Sequence, residues 1–217
     1  MSSVKLLFLL FSIVVSLNVV LTFDDARLDH YQVSLDLDSK GVKGTFYVNS
    51  NRVGESDRLS LPQLSSIAYR GHEIGGHTMN HANLSSLAYA QQFTEVCGDR
   101  DRLLSWGFNT TNFAYPFGLE TSASYDILSR CGYNGARDSG GIRGNSSCTS
   151  CPKSDSIPPL NPQLIRSISY RSSMGVSGLQ WYVQNALNDP LYADGFIAFV
   201  FHEYGNYSGI DSAILPR

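Results

Sequence analysis

The sequence predicts an α/β fold in which a parallel sheet, open or closed into a barrel, is covered by helices. Short, nearly continuous apolar runs of the kind buried on both faces alternate with amphipathic helical patterns. No internal repeat or linker interrupts the alternation. Composition agrees, because 42% hydrophobic and 12% aromatic residues in 217 supply one sizeable core, which excludes a disordered or collagen-like chain. Charged residues, at 16%, are too few for a coiled coil. Lys and Arg number 16 against 19 Asp and Glu, with no basic patch, so nucleic acid and anionic membranes are poor partners and an uncharged substrate is the better match.

Taken in order, Met1 to Lys5 is short and positive, and Leu6 to Val15 is an apolar run of signal-peptide length. Residues 1–16 are therefore read as a signal peptide cleaved after Ser16, leaving 17–217 as one domain with no stable membrane insertion. The uncharged stretch continues to Phe23, so a retained anchor is the competing reading. VVLTF and KGTFYVNS read as strands. Ser60, Pro62 and Gln63 form a capping box with proline in the first turn, opening a helix to about Tyr69. HEIGGHT returns as a strand. From Leu84 to Trp106, Leu87, Ala90, Phe93, Val96 and Leu103 recur at three- and four-residue steps, predicting one long amphipathic helix. NFAYPFG is a strand, SASYDILSRCG a helix closed by Gly132, and YNGAR a strand. Residues 138–163 read as a long irregular loop, Leu179–Leu187 as a helix and GFIAFVFHEY as a terminal strand.

The four cysteines allow three connectivities. Cys148 and Cys151 share a Gly/Ser/Pro-rich loop in which a short bridge closes easily, and Cys97 and Cys131 lie near helix ends that they could staple. A CxxC metal or redox site needs a second ligand pair or a βαβ context, and neither is present. Sequons at Asn83, Asn109, Asn145 and Asn206 agree with a secreted, extracellular or cell-wall glycoprotein.

Three clusters fall at expected carboxyl ends of strands, where such folds keep their sites. Asp24 and Asp25 follow an apolar strand directly. Strand geometry would send them to opposite faces, unless the chain curls there and brings both into one mouth. His77 and His81 stand at i and i+4, so one helical turn would put both imidazoles on one face at a spacing zinc accepts, and two glycines let the backbone bend before them. His202 ends the last apolar strand, and in a barrel that strand lies next to the first, which places His202 across the mouth from Asp24.

TFDDA, GHEIGGHTMNH, FAYPFG and FVFHEY, in this order and at this spacing, resemble the motifs of the polysaccharide deacetylase family (NodB homology, carbohydrate esterase family four), from about Val19 to Glu203. The resemblance implies a distorted (β/α) barrel that removes N-acetyl or O-acetyl groups from polysaccharides with Zn²⁺, or Co²⁺, bound. It implies Asp24 as catalytic base, Asp25, His77 and His81 as metal ligands, His202 as catalytic acid and the Phe117 backbone N–H as an oxyanion donor. The expected activity is N-deacetylation of an N-acetylglucosamine-containing polymer such as chitin or its oligomers, by a monomer. Peptidoglycan, an acetylated xylan and a non-catalytic carbohydrate-binding role are the alternatives.

Three departures from the family pattern carry expectations of their own. Ala114 stands where the family usually has an arginine paired with the catalytic aspartate. Arg137, ending the next strand, is the candidate substitute, with Arg166 or Arg171 as candidates for orienting His202. The family's Asp-rich fourth motif has no clear counterpart. The chain stops soon after His202, so the barrel is expected to lack its closing segment and expose apolar surface there. Tyr115 and Tyr204 are placed near the mouth as sugar-stacking candidates, and Trp106 and Trp181 as helix-packing residues.

Overall fold

The computed structural model describes residues 16–144 and 147–202. Seven parallel strands, β1 (Asn18–Phe23), β2 (Thr45–Val48), β3 (Glu73–Gly76), β4 (Asn112–Ala114), β5 (Gly135–Gly141), β6 (Ile165–Ser169) and β7 (Phe196–Phe201), close into a barrel in sequence order. Helices α1 (His30–Ser39), α2 (Leu61–Tyr69), α3 (Tyr89–Ser105), α4 (Ser122–Cys131) and α5 (Gly175–Leu187) cross between strands. The leader before Ser16, the sequons at Asn145 and Asn206, and Tyr204 lie outside the described residues. No described helix is long and apolar enough to cross a membrane.

The expectation of a missing closing segment is corrected. β1 pairs β7 in parallel from Asn18↔Phe196 to Phe23↔Phe201, and Asp24 N–H continues the ladder to the Phe201 carbonyl at 2.9 Å. A closed barrel has no open edge, and this pairing buries Ile197, Phe199 and Phe201 against Leu21 and Phe23.

Two-residue alternation sorts each strand into a lumen row and a helix-facing row. Leu21 and Phe23, Phe46 and Val48, and Ile197, Phe199 and Phe201 pack with Val33, Leu37, Leu64, Ile67 and Leu179 in the main core. A second core joins Val96, Ile127 and Leu128 to Phe113, Tyr115 and Tyr133, and the Cys97–Cys131 disulfide ties α3 to α4 beside it. The other disulfide is Cys148–Cys151. The lumen row mixes polar side chains with Val20, Ile165, Phe196 and Ala198. Among its polar members, Thr22, Thr45, Tyr47, Glu73, Asn112 and Arg137 line a cavity of about 120 Å³.

Three elements differ from the sequence reading, each for a physical reason. Helix α1 buries His30, Val33, Ser34 and Leu37 at helical spacing, but two of those four are polar, which erases the apolar stripe. The long helix starts only at Tyr89, because Asn83 instead caps a short 3-10 turn at Leu84–Ser86 by accepting from Ser85 N–H. The extension of β5 to Gly141 takes the start of the expected loop, and β6 (IRSIS), just past its end, was not anticipated, because their serines and glycines hid them.

At the end of α1, Asp38 accepts from Arg70 Nε at 2.6 Å, pairs with Lys43 and lies 3.2 Å from His72 Nε2. Gly44 N–H donates to His72 Nδ1 at 3.1 Å, so neutral His72 carries its proton on Nε2, toward Asp38. Burial would raise the Asp38 pKa, but the Lys43 and Arg70 hydrogen bonds outweigh it and bring it to about 2. A depressed carboxylate contributes stability above the unfolded pKa and loses it as pH falls toward the folded one. Asp38→Asn is therefore expected to flatten the fall in stability between about pH 4 and pH 2. Urea denaturation at stepped pH measures this, and an unchanged acid limb would count against it.

Candidate active site

Asp24 and His202 extend the lumen rows of neighbouring strands. Phe23 pairs Phe201, so the next residues lie side by side, with His202 Nε2 3.8 Å from Asp24 Oδ2. They are neighbours along one rim, not residues facing each other across the mouth. Asp24 is 3% exposed while the His202 side chain is 47% exposed. Period-2 geometry would turn Asp25 outward. The backbone instead enters the left-handed region at Asp25 (φ 75°) and Ala26 (φ 47°), and Leu59 N–H holds the Ala26 carbonyl at 2.8 Å. That turn brings both carboxylates into one mouth.

His77 and His81 follow β3, but no helical turn presents them. Thr78 (φ 63°) and His81 (φ 59°) are left-handed, and the chain doubles back so that the two rings lie 4.9 Å apart. Asp99, fully buried on α3, fixes this loop by accepting His77 N–H and Ser50 N–H, each at 2.9 Å. Asn49 adds a bond to the Thr78 carbonyl at 3.2 Å. The paired glycines serve close approach, not bending. Both are extended in β3, a Cβ on Gly75 would lie 2.5 Å from the Tyr47 ring, and one on Gly76 would collide with the Tyr133 hydroxyl. Gly75→Ala is thus expected to cost about 1–3 kcal/mol through overpacking, read as a lowered urea midpoint. A midpoint equal to wild type would refute that reading.

Asp25, His77 and His81 each present one ligand atom, and the three atoms lie within 4.8 Å of one another. His81 Nε2 stands 3.4 Å and His77 Nε2 3.8 Å from Asp25 Oδ1. His77 Nδ1 lies 2.7 Å from the Ala114 carbonyl, which only accepts, so Nδ1 carries the proton and Nε2 keeps its lone pair. Asp25 Oδ1 and His77 Nε2 are both buried without a hydrogen-bond partner. Burial depresses the pKa of both imidazoles, keeping them neutral. Orphaned acceptors converging from one carboxylate and two neutral imidazoles are the donor set a divalent ion such as zinc takes.

Arg137 reaches Asp24 from β5. Its Nη2 pairs with Asp24 Oδ1, its Nη1 donates to the Asp138 carbonyl at 3.0 Å, and its guanidinium lies 4.9 Å from the Tyr47 ring centre. Burial alone would raise the Asp24 pKa, but Arg137, with His77 and His202, overrides it and holds the carboxyl below its usual value. Arg166 is not available to His202, since it pairs with Asp155 at 2.7 Å. Arg171 is exposed after β6.

Tyr115 does not line the mouth. It is 1% exposed, packed on Phe113, with its hydroxyl donating to the Gln163 carbonyl at 3.0 Å. The aromatic at the rim is Phe117, 61% exposed at φ 62°, with its ring 4.5 Å from His81. Trp106 packs against the core as expected, and Trp181 sits edge-on to Tyr182. Asn109 is exposed and Asn83 half-buried. Asp99, Asn49 and Tyr47 are the supporting residues the sequence reading missed. Asp99 left a signal, as a charge inside the stripe between Val96 and Leu103.

Comparison with known proteins identifies the family and the fold. A chitin deacetylase of Arthroderma benhamiae is 39% identical over 71 residues, 32% of this chain and 19% of its own length. YxkH of Bacillus subtilis, named for polysaccharide deacetylation, is 30% identical over 118 residues, 53% of this chain and 42% of its own. This chain thus spans less than half the length of these relatives. A family 4 carbohydrate esterase from Streptomyces lividans, solved with acetate, shares the fold with a TM-score of 0.60 at 14% identity, covering 89% of this chain and 84% of that one. The sequence model of polysaccharide deacetylases matches residues 16–136, more than half of the chain, which therefore belongs to the polysaccharide deacetylase family.

Proposed function

We propose that this chain is a secreted, metal-dependent hydrolase that removes N-acetyl groups from an N-acetylglucosamine-containing polysaccharide, with chitin oligomers as the working substrate. The convergence of Asp25, His77 and His81 beside the Asp24–Arg137 pair carries the reading. Those three side chains would hold the ion, Zn²⁺ or Co²⁺. When bound, it supplies Lewis acidity, polarising a carbonyl and making water acidic near neutral pH. The remaining work falls to the chain. Asp24, kept ionised by Arg137, accepts the proton of the attacking water. The Phe117 backbone N–H donates to the developing oxyanion, a bond worth about 3 kcal/mol. His202, exposed beside Asp24, delivers a proton to the departing nitrogen, which leaves as an amine. The two disulfides suit an oxidising compartment.

The test is acetate release from chitin oligomers by the purified chain with and without zinc. Zinc-dependent release, reduced by about 10²–10⁴ in Asp24→Asn, is expected. Faster turnover of acetylated xylan would shift the assignment to O-acetyl ester hydrolysis. Release without zinc, or undiminished by Asp24→Asn, would refute the mechanism.

A further inference from the structure

The two imidazoles of the candidate metal site are held in different ways. His77 is fixed through its ring, by the bond between Nδ1 and the Ala114 carbonyl. Among the described residues none hydrogen-bonds the His81 ring, which faces Asp25 and meets His77 and Phe117 edge-on. The direction of His81 is therefore set by its backbone. That backbone is left-handed, at φ 59°, a conformation that a non-glycine residue keeps only where its neighbours hold it. Both flanks are held. Ala82 N–H donates to Thr78 Oγ1 at 2.9 Å, inside the loop. On the other flank the hold comes from α3. Glu95 accepts Asn80 N–H at 3.0 Å and Asn80 Nδ2 at 2.6 Å with its carboxylate, and Met79 N–H at 3.1 Å with its main-chain carbonyl. Asn51 Nδ2 donates to Asn80 Oδ1 at 2.8 Å, so the N–H and both side-chain groups of Asn80 are committed.

We infer that Glu95 is a positioning residue of the metal centre, which grips Asn80 and so fixes the backbone from which His81 reaches the ion. The inference rests on the metal site of the proposed function. Glu95 lies outside the ligand group and acts on His81 through the residue before it. Asp99, one turn further along α3, holds His77 N–H. Residues four apart share one helix face, so a single face of α3 supports both histidines. Gly98 lets that face close on the loop, since a Cβ there would lie 2.7 Å from Met79 Sδ. Both Glu95 oxygens bind donors of one residue with a full charge behind them, which holds Asn80 more firmly than a single neutral bond. Asn80 is exposed and Glu95 half-buried, so water can replace these bonds in the metal-free chain at little cost to folding. What the pair supplies is preorganisation. Without it the His81 backbone must be ordered as the ion binds, and affinity falls.

The test is the zinc dissociation constant of the purified chain, measured by competition with a chromophoric chelator. Glu95→Ala is expected to raise Kd about tenfold, the lower end of the range for outer-shell partners, while the urea midpoint of the metal-free chain stays near wild type. Two further variants separate position from charge. Glu95→Gln keeps an acceptor for Asn80 N–H without the charge and should stay within about threefold of wild type. Asp101→Ala removes an acid that is exposed on the same helix and not bonded to the loop, and should leave Kd unchanged. Equal weakening by Glu95→Gln and Glu95→Ala, or weakening by Asp101→Ala, would reduce the effect to long-range charge and overturn the inference. A Glu95→Ala chain that loses its metal-free fold would overturn it as well, leaving Glu95 a merely structural residue. If wild type binds no zinc, the metal centre of the proposed function has failed and this inference with it. If wild type and Glu95→Ala bind zinc equally well, the centre stands and only this inference is overturned.

Discussion

Replacing His77 with alanine is expected to leave the purified chain without zinc and without measurable acetate release. His77 is 1% exposed, its Nδ1 is committed to the Ala114 carbonyl, and its Nε2 has no hydrogen-bond partner. Loss of a direct ligand should weaken zinc binding by more than about 100-fold, beyond the roughly 10–100-fold typical of outer-shell partners. The substitution also empties a packed position, so a companion variant must separate metal loss from misfolding. Asp25→Asn keeps size and shape and removes only the charge. In wild type, zinc at 100 times its Kd should add about 2.7 kcal/mol to the unfolding free energy by mass action, and in Asp25→Asn that gain should vanish while the metal-free stability stays near wild type. Zinc content by atomic emission and unfolding with and without zinc measure both effects. Full zinc occupancy in either variant would remove the basis for the metal centre.

The sequence exposed the barrel and the convergent side chains for different reasons. Strands such as FIAFVF are buried on both faces and read as apolar without a partner being known. Asp24 and His202 were legible as strand-terminal polar residues, and strand parity explains why they meet. The route by which His77 and His81 meet was not legible, because the left-handed residues Thr78 and His81 are not glycines and carry no compositional mark. Barrel closure departs from the expectation because pairing of β7 with β1 needs only the six residues of each strand. Tyr115 and Phe117 are two positions apart in one motif, and only the turn at Pro116–Gly118 decides which ring is buried and which stands at the rim.

Arg137 is the second large effect. Arg137→Ala would leave the Asp24 carboxylate buried without its cation, and breaking such a pair typically costs about 3–5 kcal/mol. It also removes the chief influence holding the Asp24 pKa down, so burial is left to raise it. A base works only when ionised, and activity is lost as pH falls through its pKa. The acid limb of kcat/KM should therefore move to higher pH. The lateral pairing Ala114↔Arg137 between β4 and β5 supplies a sharper experiment. Register partners on parallel strands point the same way, and Arg137 lines the lumen, so an arginine at position 114 would project into the space that Arg137→Ala vacates. Ala114→Arg alone should destabilise by overpacking, about 1–3 kcal/mol, and by placing a second guanidinium beside the first. Combined with Arg137→Ala it should recover both stability and the acid limb, with a favourable coupling of about 0.5–3 kcal/mol. Simple additivity in denaturation and in the pH profile would mean that Asp24 requires its cation from the β5 direction, and that position 114 cannot replace it here.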